Sequence, residues 1–281
     1  MIRFKVYGLA RTQEKADYLT KNEINPIIGN ASDVEVWGAV AERVDVVVEA
    51  LADYTNRATT GIVLAKIQEV ATKKPHLTII YTSGSLVYEE TQDLVDENSP
   101  YNVTHPFFSH RRKVEEQYQA FGGIIIQPSY VYGGQGSASS YYFRLATQTT
   151  DGQVTMFGKN KDQYRSFIHG ADLAQIYLLA ALNASSVRGQ IFIGSANYFK
   201  SEEVVRAIAK EAGVEIKTIN YISPPDDDIM AQVYSVSSRA TSKKAELLLG
   251  WKANRPSLID NTKHYLQTWK LYQQPSTPSS K

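Results

Sequence analysis

Short apolar runs alternate with amphipathic segments along the first two thirds of the chain. The apolar runs predict six strands, at Phe4–Leu9, Pro26–Ile28, Val44–Ala50, Leu77–Tyr81, Gly123–Gln127 and Gln190–Ile193. Several are apolar at nearly every position, which is typical of parallel strands that are buried on both faces. Between them, apolar residues recur with helical spacing around Val63–Ala71, Arg111–Phe121 and Leu173–Ala180. This alternation predicts an α/β fold with a doubly wound, mostly parallel sheet.

The pattern of apolar and polar residues changes after about residue 132. A Gly/Ser loop leads into a helix, and "SEEVVRAIAKEAG" predicts another helix with Ser201 as its N-cap and Gly213 at its end. We therefore expect a Rossmann-like domain from residues 1–133 and 165–195, and a smaller helix-rich lobe from 134–164 and 196–271. The Pro/Ser-rich residues 272–281 predict a disordered tail.

The amino-acid composition excludes several classes of protein. The 281 residues include 30 Lys+Arg and 29 Asp+Glu, so a net charge of +1 gives no field for nucleic acid or an anionic membrane. Without cysteine there are no disulfides, thiol nucleophiles or Cys-ligated metals. The five histidines show no metal-ligand spacing. No signal peptide or membrane-length apolar stretch is evident, which indicates a cytoplasmic or nuclear globular protein.

Several motifs in a fixed order resemble one known family. They are "VYGLARTQEKADYLTKNEINPIIGNASD", "VDVVVEALADY", "IIYTSGSLVYEE", "IIIQPSYVYGG", "RSFIHGADLAQIYLLA" and "SKKAELLLGW". Together they resemble the extended or atypical short-chain dehydrogenase/reductase superfamily, of the NAD-dependent epimerase/dehydratase type. The resemblance implies a Rossmann fold and NAD(P)-dependent chemistry on a hydroxyl or carbonyl of a small-molecule substrate. A homodimer is compatible with it.

In this register the family's first strand and its glycine-rich turn are missing. None of the 17 glycines forms a G-x-G-x-x-G pattern, so the usual cradle for a pyrophosphate is absent. The missing strand would be central in the sheet, and each unpaired buried backbone group costs about 1–3 kcal/mol. Three outcomes are open: the flanking strands pair directly, another chain fills the gap, or the native start lies upstream. Alternatively Phe4–Leu9 is itself the first strand and Gly8 a relic of the turn.

The resemblance also assigns candidate site residues. The family's acid/base tyrosine, with lysine four positions later, has no counterpart among the 18 tyrosines. The remaining catalytic candidates are Ser83, Ser85 and Lys113, although strict alignment places Gly84 at the catalytic serine and Lys113 could equally be a solvated surface charge.

The resemblance implies that the chain binds NADP or NAD, and Arg11 slightly favours NADP. Alternatively, the chain has lost cofactor binding. The cofactor-binding candidates are Arg11, Asn30, Ala50, Leu51, Ala52, Thr82, Pro128, Ser129 and Val131. Arg165, His169 and Asp172 resemble a hinge between the lobes. Two functions follow: an epimerase-, dehydratase- or reductase-like enzyme with impaired activity, or a catalytically inactive binding or scaffold protein.

Overall fold

The computed structural model describes residues 4–51, 57–101, 103, 105–134 and 138–273. Its strands are β1 (Tyr7–Ala10), β2 (Asn25–Ile28), β3 (Val46–Glu49), β4 (Thr78–Thr82), β5 (Leu94–Val95), β6 (Ile124–Pro128), β7 (Tyr130–Tyr132), β8 (Gln153–Phe157), β9 (Tyr164–His169), β10 (Ile191–Gly194), β11 (Asn197–Lys200), β12 (Thr218–Ile222) and β13 (Arg239–Ala240). Its helices are α1 (Gln13–Lys21), α2 (Val34–Ala41), α3 (Arg57–Lys73), α4 (Pro106–Ala120), α5 (Ser140–Gln148), α6 (Gly170–Leu182), α7 (Ala184–Val187), α8 (Ser201–Ala212), α9 (Ile229–Ser235), α10 (Lys243–Leu249) and α11 (Thr262–Gln273), with a 3₁₀ helix at Ser85–Tyr88. None of the described helices is long and apolar enough to cross a bilayer.

All six predicted strands are present, which confirms the predicted α/β class. Strands β3, β4, β6 and β10 form one parallel sheet in the spatial order β10-β6-β4-β3. Helices α3 and α4 pack on one face of this sheet, and α6 and α10 pack on the other. The central strands β4 and β6 are therefore mostly apolar, with Ile79, Ile80 and Ile124–Ile126 buried, because both faces of the sheet are covered.

Strands β1 and β2 form a separate parallel ladder. Among the described residues β1 pairs only with β2, and β3 only with β4, so these two ladders share no strand pairing. Direct pairing of the flanking strands, one of the outcomes favoured from the sequence, is therefore wrong. Closing the sheet would require β1 and β3 to approach to about 4.8 Å.

The two ladders stay apart because apolar side chains connect them on one face only. Trp37 of α2 and Ala31 before it belong to the same apolar cluster as Val47 of β3, which fixes the β2–α2 unit beside α3. On the opposite face, Val46 of β3 packs with α6, but Val48 is 48 % exposed. Among the described residues no strand pairs with β3 on the side away from β4, where the resemblance places a further strand.

The second lobe contains more strand than its sequence predicts. Strands β7 and β9, which fall almost wholly within the residues predicted for the first domain, form one sheet with β11, and β12 pairs with β8, around a core to which α5, α8 and α11 contribute. In helix α8 the N-cap is Lys200 rather than the predicted Ser201, which is buried as the first helical residue. Gly213 ends α8 in the left-handed conformation, as predicted, with φ 71°. Helix α11 extends to Gln273, and the rest of the predicted tail lies outside the described residues.

Candidate functional site

A cleft of about 230 Å³ opens at the carboxyl end of the four-stranded sheet. Open α/β sheets place their ligands at this edge, beyond the ends of the strands. Three segments form the cleft: the loop after β4, the first turns of α4 and the crossing from β6 to β7. The lining residues are Ser83, Gly84, Ser85, Leu86, Val87, Phe107, Phe108, Arg111, Pro128, Ser129, Tyr130, Val131, Ala138 and Val233.

Five of the residues predicted from strand ends come together in this cleft. They are Ser83, Ser85, Pro128, Ser129 and Val131. The Ser129 hydroxyl donates to the carbonyl oxygen of Gly194 at 2.8 Å, so it is committed to holding β10 beside the site. Ser83 and Ser85 are both buried and line the cleft on either side of Gly84.

The resemblance places Gly84 at the position of the family's catalytic serine, and the backbone there would accept a side chain. Its φ is −176°, which is ordinary extended geometry. A Cβ atom built there would have only the carbonyl oxygen of Pro128 near it, at 3.9 Å. The missing hydroxyl is therefore a matter of sequence and not of steric exclusion.

Helix α4 brings an aromatic and a cationic side chain to the cleft with a spacing of four residues. Pro106 occupies the first helical turn, and the His105 ring accepts a hydrogen bond from the backbone N–H of Phe107 at 3.2 Å. Phe107 and Arg111 both line the cleft, with the guanidinium carbon 6.0 Å from the centroid of the Phe107 ring. The Arg111 Nη2 donates to the carbonyl oxygens of Thr82 at 3.1 Å and Ser83 at 3.0 Å.

Sequence reasoning missed this pair. The search required a tyrosine followed by lysine, whereas an aromatic residue followed four positions later by a cation also matches the geometry and occurs in "PFFSHR". Residues four apart on a helix lie on the same face. Phe107 and Arg111 thus have the family's pair spacing, with phenylalanine in place of tyrosine and arginine in place of lysine.

The structure does not bring Lys113 to the cleft. It is exposed on α4 and does not belong to the lining residues. Two residues beyond Arg111 correspond to about 200° around a helix of 3.6 residues per turn, so Lys113 points away from the face that Arg111 presents. This placement agrees with the alternative of a solvated surface charge.

Glu49 at the end of β3 is a buried acid close to the inner end of this site. It is 7 % exposed, and its Oε1 accepts a hydrogen bond from the backbone N–H of Leu51 at 2.6 Å. Burial raises the pKa of Glu49 to about 7, while the Leu51 N–H and the Arg111 charge act in the opposite direction. The sequence alone could have indicated Glu49 as a buried acid, because it ends a strand that is otherwise all valine.

A hydrogen-bonded network supports α4 from beneath. The Gln127 Nε2 donates to Glu115 Oε1 at 3.0 Å, and the Arg112 Nη1 donates to Glu115 Oε2 at 3.0 Å. The Tyr88 hydroxyl donates to Gln127 Oε1 at 3.1 Å, which ties the 3₁₀ helix to β6. Burial raises the pKa of Glu115, although its hydrogen-bond donors act in the opposite direction. The network fixes the angle at which α4 meets the sheet.

The other predicted cofactor-binding residues spread along the same edge. Arg11 follows β1 and Asn30 follows β2, and both are exposed; the backbone N–H and the side-chain amide of Asn30 both donate to Asp33 Oδ2. Ala50 is exposed and Leu51 half-buried after β3, whereas Ala52 lies outside the described residues. Thr82 Oγ1 is 2.8 Å from the Tyr177 hydroxyl and faces α6.

The described residues at the start of α1 do not form a glycine-rich diphosphate turn. The turn after β1 contains no glycine, and the Thr12 hydroxyl caps the start of α1 by accepting from the Lys15 N–H. That helix start therefore lacks the glycine turn that lets backbone approach a diphosphate. Among the described residues no cluster of side chains could hold a metal ion.

The predicted hinge residues make structural contacts. Asp172 is fully buried, and its two carboxylate oxygens accept from the backbone N–H groups of Asn254 and Arg255, both at 3.2 Å. Arg165 is also fully buried and donates to the carbonyl oxygens of Tyr164 and Tyr234. The His169 ring accepts from the Ala171 N–H at 3.0 Å and so caps α6.

Comparisons with known proteins agree with this geometry. A sequence profile of the NAD-dependent epimerase/dehydratase family matches residues 4–194. The UDP-glucose 4-epimerase of Halalkalibacterium halodurans is 25 % identical over 288 aligned positions, covering 92 % of this chain and 80 % of the relative.

Solved structures show the same fold. A dTDP-glucose 4,6-dehydratase from Bacillus anthracis, in complex with NAD, matches with a TM-score of 0.78 and 16 % identity, over 96 % of this chain and 89 % of that one. A UDP-glucuronic acid 4-epimerase from Bacillus cereus, in complex with UDP-glucuronic acid and NAD, matches with a TM-score of 0.77 and 17 % identity, over 95 % and 91 %.

Proposed function

The chain belongs to the NAD-dependent epimerase/dehydratase family, and we propose that within it the protein binds a sugar nucleotide and acts on a hydroxyl or carbonyl group with impaired activity. The cleft at the carboxyl end of the sheet supports a small-molecule site. The names of the similar epimerases and dehydratase, which act on UDP- or dTDP-linked sugars, support the substrate class.

The observation that carries the proposal is Phe107. The family's chemistry depends on a phenol that exchanges a proton with the substrate while hydride moves, with a nearby lysine lowering the phenol's pKa. A phenylalanine ring has no proton to exchange. An arginine in the place of the lysine keeps the positive charge but cannot act as a base, because it stays protonated.

The rest of the cleft offers no replacement near neutral pH. Its hydroxyl groups belong to three serines and to Tyr130, whose phenol donates to the carbonyl oxygen of Val233 at 2.7 Å. Burial raises the pKa of Tyr130, so it stays protonated. Any remaining turnover must therefore take its proton from water or from Glu49 behind Arg111.

A reconstitution experiment tests this reading. The triple variant Gly84→Ser, Phe107→Tyr and Arg111→Lys restores the family's residue types at sites where the backbone allows them. A positioned acid/base group contributes about 10²–10⁴-fold. We expect the variant to gain at least about tenfold in turnover of UDP-glucose or dTDP-glucose with NAD, measured by product chromatography.

The control is the double variant Gly84→Ser with Arg111→Lys, which keeps Phe107. Turnover that rises equally in the double and triple variants would contradict the role given to residue 107. Wild-type turnover already at the level of the triple variant would contradict impaired activity.

The second candidate is a catalytically inactive binding protein. Phe107 favours it, as does the turn after β1, which contains no glycine. Thermal unfolding with NAD(H) and NADP(H) separates the two, because a ligand at about 100 times its Kd adds about 2.7 kcal/mol to stability. No shift with any of these nucleotides, with binding of UDP-glucose retained, would favour the binding protein.

A further inference from the structure

Glu89 holds a backbone conformation that suits glycine. It follows the last residue of the 3₁₀ helix with φ 54° and ψ −156°. A residue with a Cβ atom rarely adopts a positive φ, and within the described part of the chain Glu23 is the one other such case outside glycine. A strained backbone of this kind persists only where surrounding contacts hold it, so the contacts of Glu89 indicate its role.

The Glu89 side chain connects two segments that line the cleft. Its Oε1 accepts a hydrogen bond from the backbone N–H of His105 at 2.5 Å. His105 is the N-cap of α4, and its ring accepts from the Phe107 N–H at 3.2 Å. The 3₁₀ helix and the first turn of α4 both contribute residues to the cleft. The carboxylate thus joins these two segments directly.

The start of α4 has a specific need for this acceptor. In a capping box, a Glu or Gln at the third helical position binds the backbone N–H of the N-cap residue. In α4 the third helical residue is Phe108, which has no acceptor, and the first turn contains no acid. Glu89 supplies the carboxylate from 16 residues earlier, where the positive end of the helix dipole also favours an anion. The bonds of Arg111 and Glu115 hold the later turns of α4.

We propose that Glu89 is a positioning residue, whose carboxylate clamps the first turn of α4 and so keeps Phe107 and Phe108 in the lining of the cleft where a sugar nucleotide binds. The inference rests on the proposed function, because it concerns the same cleft. A glycine at this position would adopt the same φ and ψ without strain but would give the His105 N–H no acceptor. Glutamate accepts the strain and makes the bond.

Glu89→Gly therefore separates the backbone conformation from the carboxylate. NMR measures hydrogen exchange at the His105 and Phe107 amides, and calorimetric titration measures the Kd of UDP-glucose, both on the full chain. We expect exchange at these amides to accelerate by about tenfold or more and the Kd to rise by about tenfold, as for loss of a hydrogen bond to a charged group. Glu89→Gln keeps an acceptor oxygen with the same reach and should stay within about threefold of the wild type.

The matched control is Glu23→Gly, the same change at the other glutamate with a positive φ. Glu23 is exposed after α1 and does not line the cleft, so both measurements should match the wild type. Glu89→Asp gives a second test that does not depend on a glycine variant that folds. Its carboxylate is one methylene shorter, so we expect exchange and Kd to change in the same direction as in Glu89→Gly.

The outcomes separate this inference from the proposed function. Wild-type exchange at the α4 amides, or wild-type affinity for UDP-glucose, in Glu89→Gly or Glu89→Asp would overturn the inference and leave the proposed function standing. An equal loss of affinity in Glu23→Gly would also overturn it, because the effect would then not come from the clamp. No binding of UDP-glucose by the wild-type protein at millimolar concentration would overturn both.

Discussion

The two parallel ladders of the sheet have the same strand direction but very different surroundings. Strands β4 and β6 are buried on both faces between two layers of helices, whereas β1 and β2 carry α1 on one face and leave Leu9 and Ile28 exposed. The candidate cleft lies at the carboxyl ends of β4 and β6 in the better packed ladder, and β7, Ala138 and Val233 complete its lining. The comparison shows that the strands bordering the cleft are enclosed on both faces, whereas the ladder that carries Arg11 and Asn30 is only partly enclosed.

The largest effect should come from removing matched isoleucines in the two ladders. Ile126 of β6 has no exposed surface, whereas Ile28 of β2 is 51 % exposed. Ile126→Ala should lower the free energy of unfolding by about 2–5 kcal/mol. Ile28→Ala should change it by about 0.5 kcal/mol or less.

Urea unfolding followed by circular dichroism measures both. Equal losses in the two variants would mean that β1 and β2 are covered in solution by something that the described residues do not show. That result would remove the contrast between the ladders.

The next effect concerns Glu49, which stands on the open edge of β3. Its folded pKa lies above its unfolded value of 4.5, so the folded state binds the extra proton and stability falls as pH rises from about 4.5 through about 7. The accumulated cost is about 3 kcal/mol above pH 8. Glu49→Gln should remove this slope and be more stable than the wild type at pH 8, by up to that amount.

Denaturant titrations at pH 5, 6, 7 and 8 test this, with Glu35→Gln as the control at an exposed carboxylate. Parallel pH profiles for wild type and Glu49→Gln would show that water reaches Glu49 through the open edge. The comparison of the ladders would then extend to β3 itself.

The smallest effect is expected at Arg11, on the weakly enclosed ladder. Arg11 is exposed at the end of β1, so Arg11→Ala should leave stability within about 0.5 kcal/mol of the wild type. If Arg11 reads a 2′-phosphate, the variant should lose roughly tenfold in affinity for NADP(H) and little for NAD(H), because one charge-assisted hydrogen bond is lost. Fluorescence titration with NADPH and NADH measures this, and an equal loss for both would rule out that role.

Strands that form continuous apolar runs could be predicted from the sequence. The four strands of the buried sheet and the more exposed strands β1 and β2 were found for that reason, and strand-end reasoning placed Ser83, Ser129 and their neighbours at the cleft. Strands β8 and β12 escaped because they alternate polar and apolar residues in short stretches beside loops. Phe107 and Arg111 escaped because the search fixed the residue types of the family pair instead of its spacing. Lys113 was chosen by residue type without regard to the direction in which a helix turns.

One carboxylate joins parts of the chain that lie far apart in sequence. Asp172 at the start of α6 holds the backbone of Asn254, 82 residues further along, while the Trp251 indole N–H donates to the Asp172 carbonyl oxygen at 2.9 Å. Tyr132 adds a bond to the carbonyl oxygen of Pro256 at 2.8 Å. The segment that these bonds hold runs from Trp251, in the core beside the four-stranded sheet, to Leu258, in the other large apolar core. Heating should therefore produce a single cooperative transition, in which the substrate lobe and the Rossmann lobe share one melting temperature.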